Sequence, residues 1–221
     1  MKNLQQLTTK HLIICALING IQVLSAQTVD KYYVNMPDEL NPTLSKQNRL
    51  ELIEYFKAGK GDSIANRFGN QAFLLSLDTL NNRLAVKNTA SSTFEMKVLN
   101  LNDSTQSIGI IRTVCGSICQ SSVEFYDTAW HQIPLQFTMP KAVNWLNEAS
   151  LSTATFDKQW VANVLGTSFV SLGFDATKQQ ITAKNNSLDF LSESDRKIIS
   201  PFVIDKLLIY KLVGRTWVLE P

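Results

Sequence analysis

Cys115 and Cys119 are spaced four residues apart and can either form a disulfide or remain two separate thiols. In an oxidising compartment such a pair can form a disulfide. Gly116-Ser117 suits a two-residue type II′ turn, which places the two thiols on opposite faces of a hairpin. A three-residue loop would pair the cysteines directly, but it sets Gly109 opposite Phe125. The residues favour the first register and no disulfide, and the second register stays open.

His131 is the one histidine after residue 26, and Asp127 lies four residues before it. Metal sites and acid–base relays usually need more than one such ligand, or a carboxylate at a fixed spacing. The segment Asp-Thr-Ala-Trp-His follows a strand, where an aspartate accepts local backbone hydrogen bonds. The pattern therefore predicts a structural turn.

Ser194 and Lys197 match the Ser-x-x-Lys nucleophile motif of penicillin-recognising enzymes. The Ser-Asp-Asn and Lys-Thr-Gly motifs that accompany it in those enzymes are missing from this chain. Ser194 also falls in the first turn of a predicted charged helix. We interpret the match as a coincidence of composition.

Two carboxylate pairs could in principle support acid–base hydrolysis, Glu51 with Glu54 and Asp189 with Glu193. Both pairs are also typical of solvated helix faces or caps. Phosphate-binding loops, dinucleotide-binding glycine motifs, Gly-x-Ser-x-Gly and His-Glu-x-x-His are absent from the sequence. The sequence thus identifies no catalytic, cofactor-binding or metal-binding residue, and it predicts no cofactor.

The elements that would position these side chains are mainly β-strands. Short runs of apolar and β-branched residues alternate with turn residues, which is typical of antiparallel meanders. The predicted strands are 73–77, 83–87, 94–101, 106–115, 119–126, 168–174, 180–184, 206–213 and 216–219, with turns at 81–82, 102–104 and 116–117. The predicted class is α+β, with one or two antiparallel sheets and a few short helices packed on one face.

The helices are predicted from capping residues and helical spacing. Ser45 is the expected N-cap of a helix that ends at Gly59, and Ser192 the expected N-cap of one that ends at Ser200-Pro201. Further short helices are expected near 62–68, at 140–146 and at 158–165, while 34–42 is expected to be extended coil.

Residues 1–26 have the pattern of a secretory signal peptide. Lys2 and Lys10 precede an apolar run that is too short to cross a bilayer, and Ala26 provides a small residue at the cleavage position. Cleavage would leave 195 of the 221 residues, with 19 Lys and Arg against 19 Asp and Glu. A neutral body argues against nucleic-acid binding, and no membrane span is expected after cleavage.

Residues 27–221 are predicted to form one β-rich domain, since no linker divides them. A candidate internal repeat, at about 45–135 and 140–221, aligns residues at an offset of 97. The four identities at that offset are Leu75 with Leu172, Asp78 with Asp175, Lys87 with Lys184, and Asn88 with Asn185. Each copy would be a helix followed by hairpins.

Several short segments, spread over the chain, together resemble a known family of proteins. These are Met36-Pro37-Asp38, Asn82-Arg83-Leu84, Arg112-Thr113-Val114, Phe125-Tyr126-Asp127 with Trp130, and residues 191–202, which include Ser192, Ser194-Asp195-Arg196-Lys197-Ile198 and Pro201-Phe202. The chain resembles the exported proteins of Bacteroidetes grouped as domain of unknown function 3256. The resemblance implies a Gram-negative source and a periplasmic or outer-envelope location, and it brings no activity with it.

Two functions follow as expectations. The favoured one is a non-enzymatic module that binds another envelope protein or a small envelope ligand, because reactive residues are few and open antiparallel sheets offer faces and edges to partners. The alternative is an envelope hydrolase of glycans or peptides that uses paired carboxylates brought together by the fold.

Overall fold

The computed structural model of this protein describes residues 27–101, 105–152, 158–166 and 168–221. The predicted signal peptide and the predicted turn at 102–104 lie outside these residues. The helices are α1 (Val29–Asn35), α2 (Lys46–Lys57), α3 (Glu148–Leu151), α4 (Lys158–Leu165) and α5 (Glu193–Ile199), with 3₁₀ turns at Asp38–Leu40, Ala142–Trp145, Ser187–Phe190 and Ser200–Phe202.

The described strands form two antiparallel sheets, which confirms the α+β class. The strands are β1 (Ser63–Ala65), β2 (Gln71–Asp78), β3 (Arg83–Thr89), β4 (Ser92–Asn100), β5 (Gln106–Cys115), β6 (Cys119–Tyr126), β7 (Val170–Phe174), β8 (Gln180–Asn185), β9 (Leu208–Val213) and β10 (Thr216–Leu219). The first sheet has the order β1-β2-β3-β4-β5-β6 and the second has the order β10-β9-β8-β7. Both are meanders of neighbouring strands.

Two local predictions are wrong. The segment expected to be coil contains the end of α1 and a 3₁₀ turn, and the helix expected near 62–68 is replaced by β1, which pairs with β2. Gly61 and Gly69 flank β1 with φ angles of 150° and 77°, outside the range of a right-handed helix. Helix α1 has only seven residues, so packing stabilises it more than its own sequence does.

Helices α1 and α2 cover one face of the first sheet. Along β4, Phe94, Met96 and Val98 point into this helix-facing core, while Glu95 and Lys97 between them point to the opposite face. Tyr33 of α1 is fully buried there, with its ring centroid 5.8 Å from that of Phe94. The strand alternation thus builds a sheet that is covered on both faces.

Arg49 of α2 is fully buried and holds the N-terminal segment in place. Its guanidinium donates to the carbonyl oxygens of Tyr33 at 2.9 Å and Val34 at 3.3 Å. It also donates to the carbonyl oxygens of Met36 and Leu44 and to the carboxylate of Asp38. The last carbonyls of a helix lack intrahelical partners, so this buried cation completes the C-terminal end of α1.

The second sheet packs on the other face of the first sheet through its edge strand β7. The backbone N–H of Leu172 donates to Ser121 Oγ at 2.9 Å, and that of Phe174 donates to Glu95 Oε2 at 3.2 Å. Lys97, which is 2% exposed, donates to the carbonyl oxygens of Asp175 and Ala176 just after β7. Desolvation lowers the pKa of Lys97, and the nearby Asp175 carboxylate opposes that shift. Side chains of the first sheet therefore form hydrogen bonds with the backbone of β7, the edge strand of the second sheet.

The prediction that favoured separate cysteines is wrong, because Cys115 and Cys119 form a disulfide across a three-residue loop. This register sets Gly109 opposite Phe125, the pairing that had argued against it. The space over Gly109 is filled by Phe174, whose Cζ would lie only 2.7 Å from an added Cβ. The ring comes from the second sheet, so the register depends on a contact distant in sequence. Counted with both cysteines, the disulfide closes a loop of five residues. The lost chain entropy of the unfolded state contributes about 2 kcal/mol to the free energy of unfolding.

The candidate repeat stays a prediction, but its two hairpins share one turn geometry. Asp78 Oδ1 accepts hydrogen bonds from the backbone N–H groups of Leu80 and Asn81 after β2. Asp175 Oδ1 accepts the same two bonds from Thr177 and Lys178 after β7, at the positions offset by 97. The β2–β3 and β7–β8 hairpins therefore coincide in both sequence offset and local structure.

We expect Arg49→Met to lower the free energy of unfolding by about 3–5 kcal/mol, since it leaves buried acceptors unpaired. Urea unfolding of the purified protein would measure the change. The matched control is Arg67→Ala, which removes the second, exposed cation that contacts Asp38. It should change stability by about 0–1 kcal/mol, and equal effects of the two substitutions would refute the structural role of Arg49.

Gly109→Ala should destabilise the protein by about 1–3 kcal/mol, because the new methyl group would overlap the Phe174 ring. Gly116→Ala serves as the control, since a Cβ there meets no atom within 4 Å. In a Phe174→Leu background the penalty at Gly109 should shrink, which thermal unfolding of the double-mutant cycle would show. An unchanged penalty would contradict the close contact.

Candidate functional site

The Asp127 and His131 pair forms the predicted structural turn. Asp127 Oδ1 accepts hydrogen bonds from the backbone N–H groups of Ala129 at 2.8 Å and His131 at 2.9 Å, and Oδ2 lies 3.1 Å from His131 Nδ1. The backbone hydrogen bond from His131 is the main cause that lowers the pKa of Asp127. The imidazole is 80% exposed, so the pair lies on the surface and stabilises a turn that Trp130 completes at φ 70°.

The candidate nucleophile Ser194 lies in the first turn of α5, exposed to solvent. Its hydroxyl is 2.9 Å from that of Ser192, the residue that caps the helix by accepting from the Asp195 N–H. Lys197 is exposed on the same helix. A nucleophilic serine needs a base within hydrogen-bond reach and donors that stabilise an oxyanion. The arrangement at Ser194 is that of a helix cap.

The structure places the two predicted carboxylate pairs in different surroundings, one on a helix surface and the other in a cleft. Glu54 is exposed and Glu51 half-buried on α2, where Glu51 accepts from Gln47. Asp189 and Glu193 instead line the same cleft, together with Asp205. The fold therefore brings the second pair together with a third carboxylate.

This cleft, called the β8–α5 cleft below, lies between the end of β8, the 3₁₀ turn at Ser187–Phe190, α5 and the segment that follows it. Its volume is about 610 Å³. The lining residues are Lys184, Asn185, Leu188, Asp189, Glu193, Arg196, Lys197, Ser200, Val203 and Asp205. Leu188 and Val203 also pack on the small apolar cluster around buried Ile199. The cleft is thus lined by two apolar residues that belong to this packing and by eight polar or charged ones.

The rim carries charges of both signs, and most of them are unpaired. Arg196 donates from Nε to the Leu188 carbonyl oxygen at 2.9 Å, and its Nη2 lies 3.5 Å from Asp189 Oδ1. Lys184, Lys197, Glu193 and Asp205 form no ion pair with another residue of the described chain. The cleft therefore offers two ammonium groups and two carboxylates to a ligand, and their net charge is zero.

Asn185 is one of the residues in the wall of the cleft. Its Oδ1 accepts from the backbone N–H of Ser187 at 2.9 Å. Its Nδ2 is buried and has no hydrogen-bond partner among the described residues. A buried donor without an acceptor costs roughly 1–3 kcal/mol.

The carboxylates that line the cleft are accessible to solvent. Asp189, Glu193 and Asp205 are all exposed, whereas the general acid of a glycosidase needs an environment that keeps it protonated. Among the residues that the structure describes, no group of three His, Cys, Asp or Glu side chains is placed to hold a metal ion. Within the same ranges, none of the helices combines the length and apolar character required to cross a membrane.

Sequence reasoning identified two of the cleft carboxylates and Lys197, but it interpreted them as solvated helix residues. It missed Lys184, Asn185 and Asp205, which come from a strand end and a coil segment. The one available signal was the candidate repeat, which had already aligned Lys184 and Asn185 with Lys87 and Asn88.

Comparison with known proteins identifies the family and the fold of the chain, and it adds no activity. A family model described as protein of unknown function (DUF3256) matches residues 21–217. The solved structure of a domain of an uncharacterized protein from Porphyromonas gingivalis W83 superposes with a TM-score of 0.72 at 16% identity, covering 87% of this chain and 97% of that one. No curated protein shows significant sequence similarity to the present chain. At this identity the structural match establishes the fold alone.

The family match covers most of the chain, from before α1 to within β10, and it agrees with the resemblance carried by the short motifs. The chain belongs to the DUF3256 family of proteins of unknown function.

Proposed function

We propose that this protein is an exported, non-enzymatic binding module of the Gram-negative envelope, and that it binds a small polar ligand in the β8–α5 cleft. The observation that carries the proposal is the set of unpaired charged groups of both signs around the cleft. Ligand sites typically have volumes of about 300–1,000 Å³ with an apolar lining and a few convergent polar groups. The cleft has this size, but only Leu188 and Val203 of its ten lining residues are apolar, so it suits a polar ligand.

Export is supported by two independent features. Residues 1–26 have the charge and apolar pattern of a signal peptide. The Cys115–Cys119 disulfide is of the kind that persists in oxidising compartments and is rare in the cytosol. The balanced charge of a mature chain also argues against nucleic acids or anionic lipids as partners.

Protein purified from the envelope fraction of its own host should begin at Gln27 and carry an intact Cys115–Cys119 bond. Intact-mass spectrometry before and after reduction would show the loss of residues 1–26 and a gain of two hydrogens on reduction. Recovery of the full-length chain, or of two free thiols, would contradict export to an oxidising compartment.

The binding site can be located by NMR on ¹⁵N-labelled mature protein. The probes are a panel of free amino acids, short peptides, monosaccharides and inorganic phosphate. We expect at least one class of probe to shift backbone signals of residues 184–205, because unpaired charges of both signs converge there. In the double variant Lys184→Ala/Lys197→Ala these shifts should fall at least tenfold.

Lys178→Ala/Lys211→Ala is the matched control, since it removes the same charge from a different surface depression, near the β7–β8 turn. The control should leave the shifts unchanged. A panel that moves no signal in residues 184–205, or shifts that survive the cleft double variant, would overturn the proposed site.

A further inference from the structure

We propose that the outer edge of β10, together with the cleft beside it, binds an extended peptide segment of a partner protein. The segment pairs with the β10 backbone at Leu219 and places a large apolar side chain in the cleft. This surface shares no residue with the β8–α5 cleft, so binding here is independent of the proposed function.

The two sides of β10 are paired to different extents. All four residues of the strand pair with β9 on the inner side. On the outer side the chain itself begins a parallel pairing at Gln136. Its backbone N–H donates to the Arg215 carbonyl oxygen at 2.9 Å, and its carbonyl oxygen accepts from the Trp217 N–H at 2.8 Å. The first half of the outer edge is therefore covered by the protein.

The second half of the outer edge has backbone groups without partners. In an antiparallel ladder every second residue directs its N–H and C=O away from the neighbouring strand, and in β10 these residues are Trp217 and Leu219. The Trp217 C=O and both backbone groups of Leu219 form no hydrogen bond with the described residues. Leu219 is half-buried and Val218 is 47% exposed, so this end of the edge is accessible.

A cleft of about 370 Å³ lies beside this open part of the edge. After Gln136 the chain forms no further backbone hydrogen bond with β10, since Pro140 lacks an N–H and a 3₁₀ turn follows it. The cleft lies between this departing segment and the strand. Its lining includes Met139 and Pro140 on one side and Tyr210, Trp217 and Leu219 on the other.

Tyr210 gives the cleft a polar group that has no partner within the described chain. The residue is 5% exposed, and its ring centroid lies 5.0 Å from that of Phe137. Its hydroxyl forms no hydrogen bond with the described residues, and unlike Trp217 Nε1 it remains open to solvent. Burial raises the pKa of Tyr210, so the hydroxyl is protonated and can donate at neutral pH. Buried tyrosine hydroxyls usually have a partner, and this one is available to a ligand acceptor.

A peptide uses all of these features together. Edge strands bind extended peptides through main-chain hydrogen bonds, and neighbouring pockets select alternate side chains. Here one peptide C=O would accept from the Leu219 N–H, and one peptide N–H would donate to the Trp217 C=O. An apolar side chain would then contact Met139 and Pro140 in the cleft, and a further peptide carbonyl would accept from the Tyr210 hydroxyl.

Other occupants use fewer of these groups. A small apolar molecule would fill the cleft but leave the backbone at Leu219 to water. A second copy of this chain would share only the open groups of Trp217 and Leu219, because Gln136 covers the rest of the edge. Stable interfaces bury about 1,600 Å² in total, far more than two such residues provide.

The test uses three blocked pentapeptides and ¹⁵N-labelled mature protein. The probe is acetyl-Thr-Ser-Phe-Ser-Thr-amide. One analogue has serine in place of phenylalanine, and the other is methylated at its three central backbone nitrogens, which removes the donors for strand pairing. NMR follows the backbone amides of Leu219 and Tyr210 and the indole N–H of Trp217. We expect the probe to shift these signals and to slow hydrogen exchange at Leu219, and each analogue to bind at least tenfold more weakly.

The free protein provides an internal check of the open edge. The Leu219 amide should exchange with solvent faster than that of Val218, because the register gives the Val218 N–H a partner in β9 and the Leu219 N–H none. Protection of Leu219 in the free protein would overturn the open edge.

Tyr210→Phe removes only the hydroxyl and should weaken the probe by about threefold to tenfold. Tyr55→Phe, the same change at an exposed position of α2, is the matched control and should leave binding unchanged. An unchanged affinity in Tyr210→Phe would overturn the role of the hydroxyl. The comparison of the three peptides on the unaltered protein does not depend on how well either variant folds.

Three further results would contradict peptide binding at this edge. Equal binding of the probe and its N-methylated analogue would show that the cleft takes a side chain without strand pairing. Shifts at Leu219 that depend on protein concentration, without peptide, would assign the edge to a second copy of the chain. No shift at millimolar probe would exclude the edge as a peptide site. None of these results depends on whether residues 184–205 bind a ligand, so the proposed function is tested separately.

Discussion

The buried edge strand β7 is the constraint on which the arrangement of the two sheets depends. A strand edge presents unpaired backbone N–H groups, and burying them without partners would cost roughly 1–3 kcal/mol each. Here Ser121 and Glu95 accept from Leu172 and Phe174, and Lys97 donates to the carbonyls that follow. The polar side chains on the inner face of the first sheet are therefore the groups that receive the second sheet, and they fix where it lies.

Several other features follow from that contact. Phe174 enters the space over Gly109, which allows the register that brings Cys115 opposite Cys119. The same docking buries Leu172 and Phe174 between the sheets. The residues after β8 join the contact, since Asn186 is 7% exposed and donates from Nδ2 to the carbonyl oxygen of Cys119.

The β2–β3 and β7–β8 hairpins have the same turn but different surroundings. Asp78 and Asp175 form the same turn, which indicates that hairpin geometry is set locally by an aspartate and the two N–H groups it accepts. What differs is the surroundings of the strand end. Asn41 exchanges hydrogen bonds with Asn88 in the first hairpin, whereas the buried Nδ2 of Asn185 in the second has no hydrogen-bond partner among the described residues.

The sequence by itself determined the class of fold and most of its strands. Strands β5, β6 and β10 have the predicted bounds, and Ser45 and Ser192 cap the helices as expected, because alternation, turn residues and caps act within a few neighbouring residues. Helix α1 and the disulfide depend on contacts between distant segments, with Arg49 and Phe174 as the deciding partners. The cleft depends on how the elements within residues 184–205 pack against one another. Only the tertiary structure decided these, because the free energy that selects them comes from burial and hydrogen bonding across the chain, which local patterns do not contain.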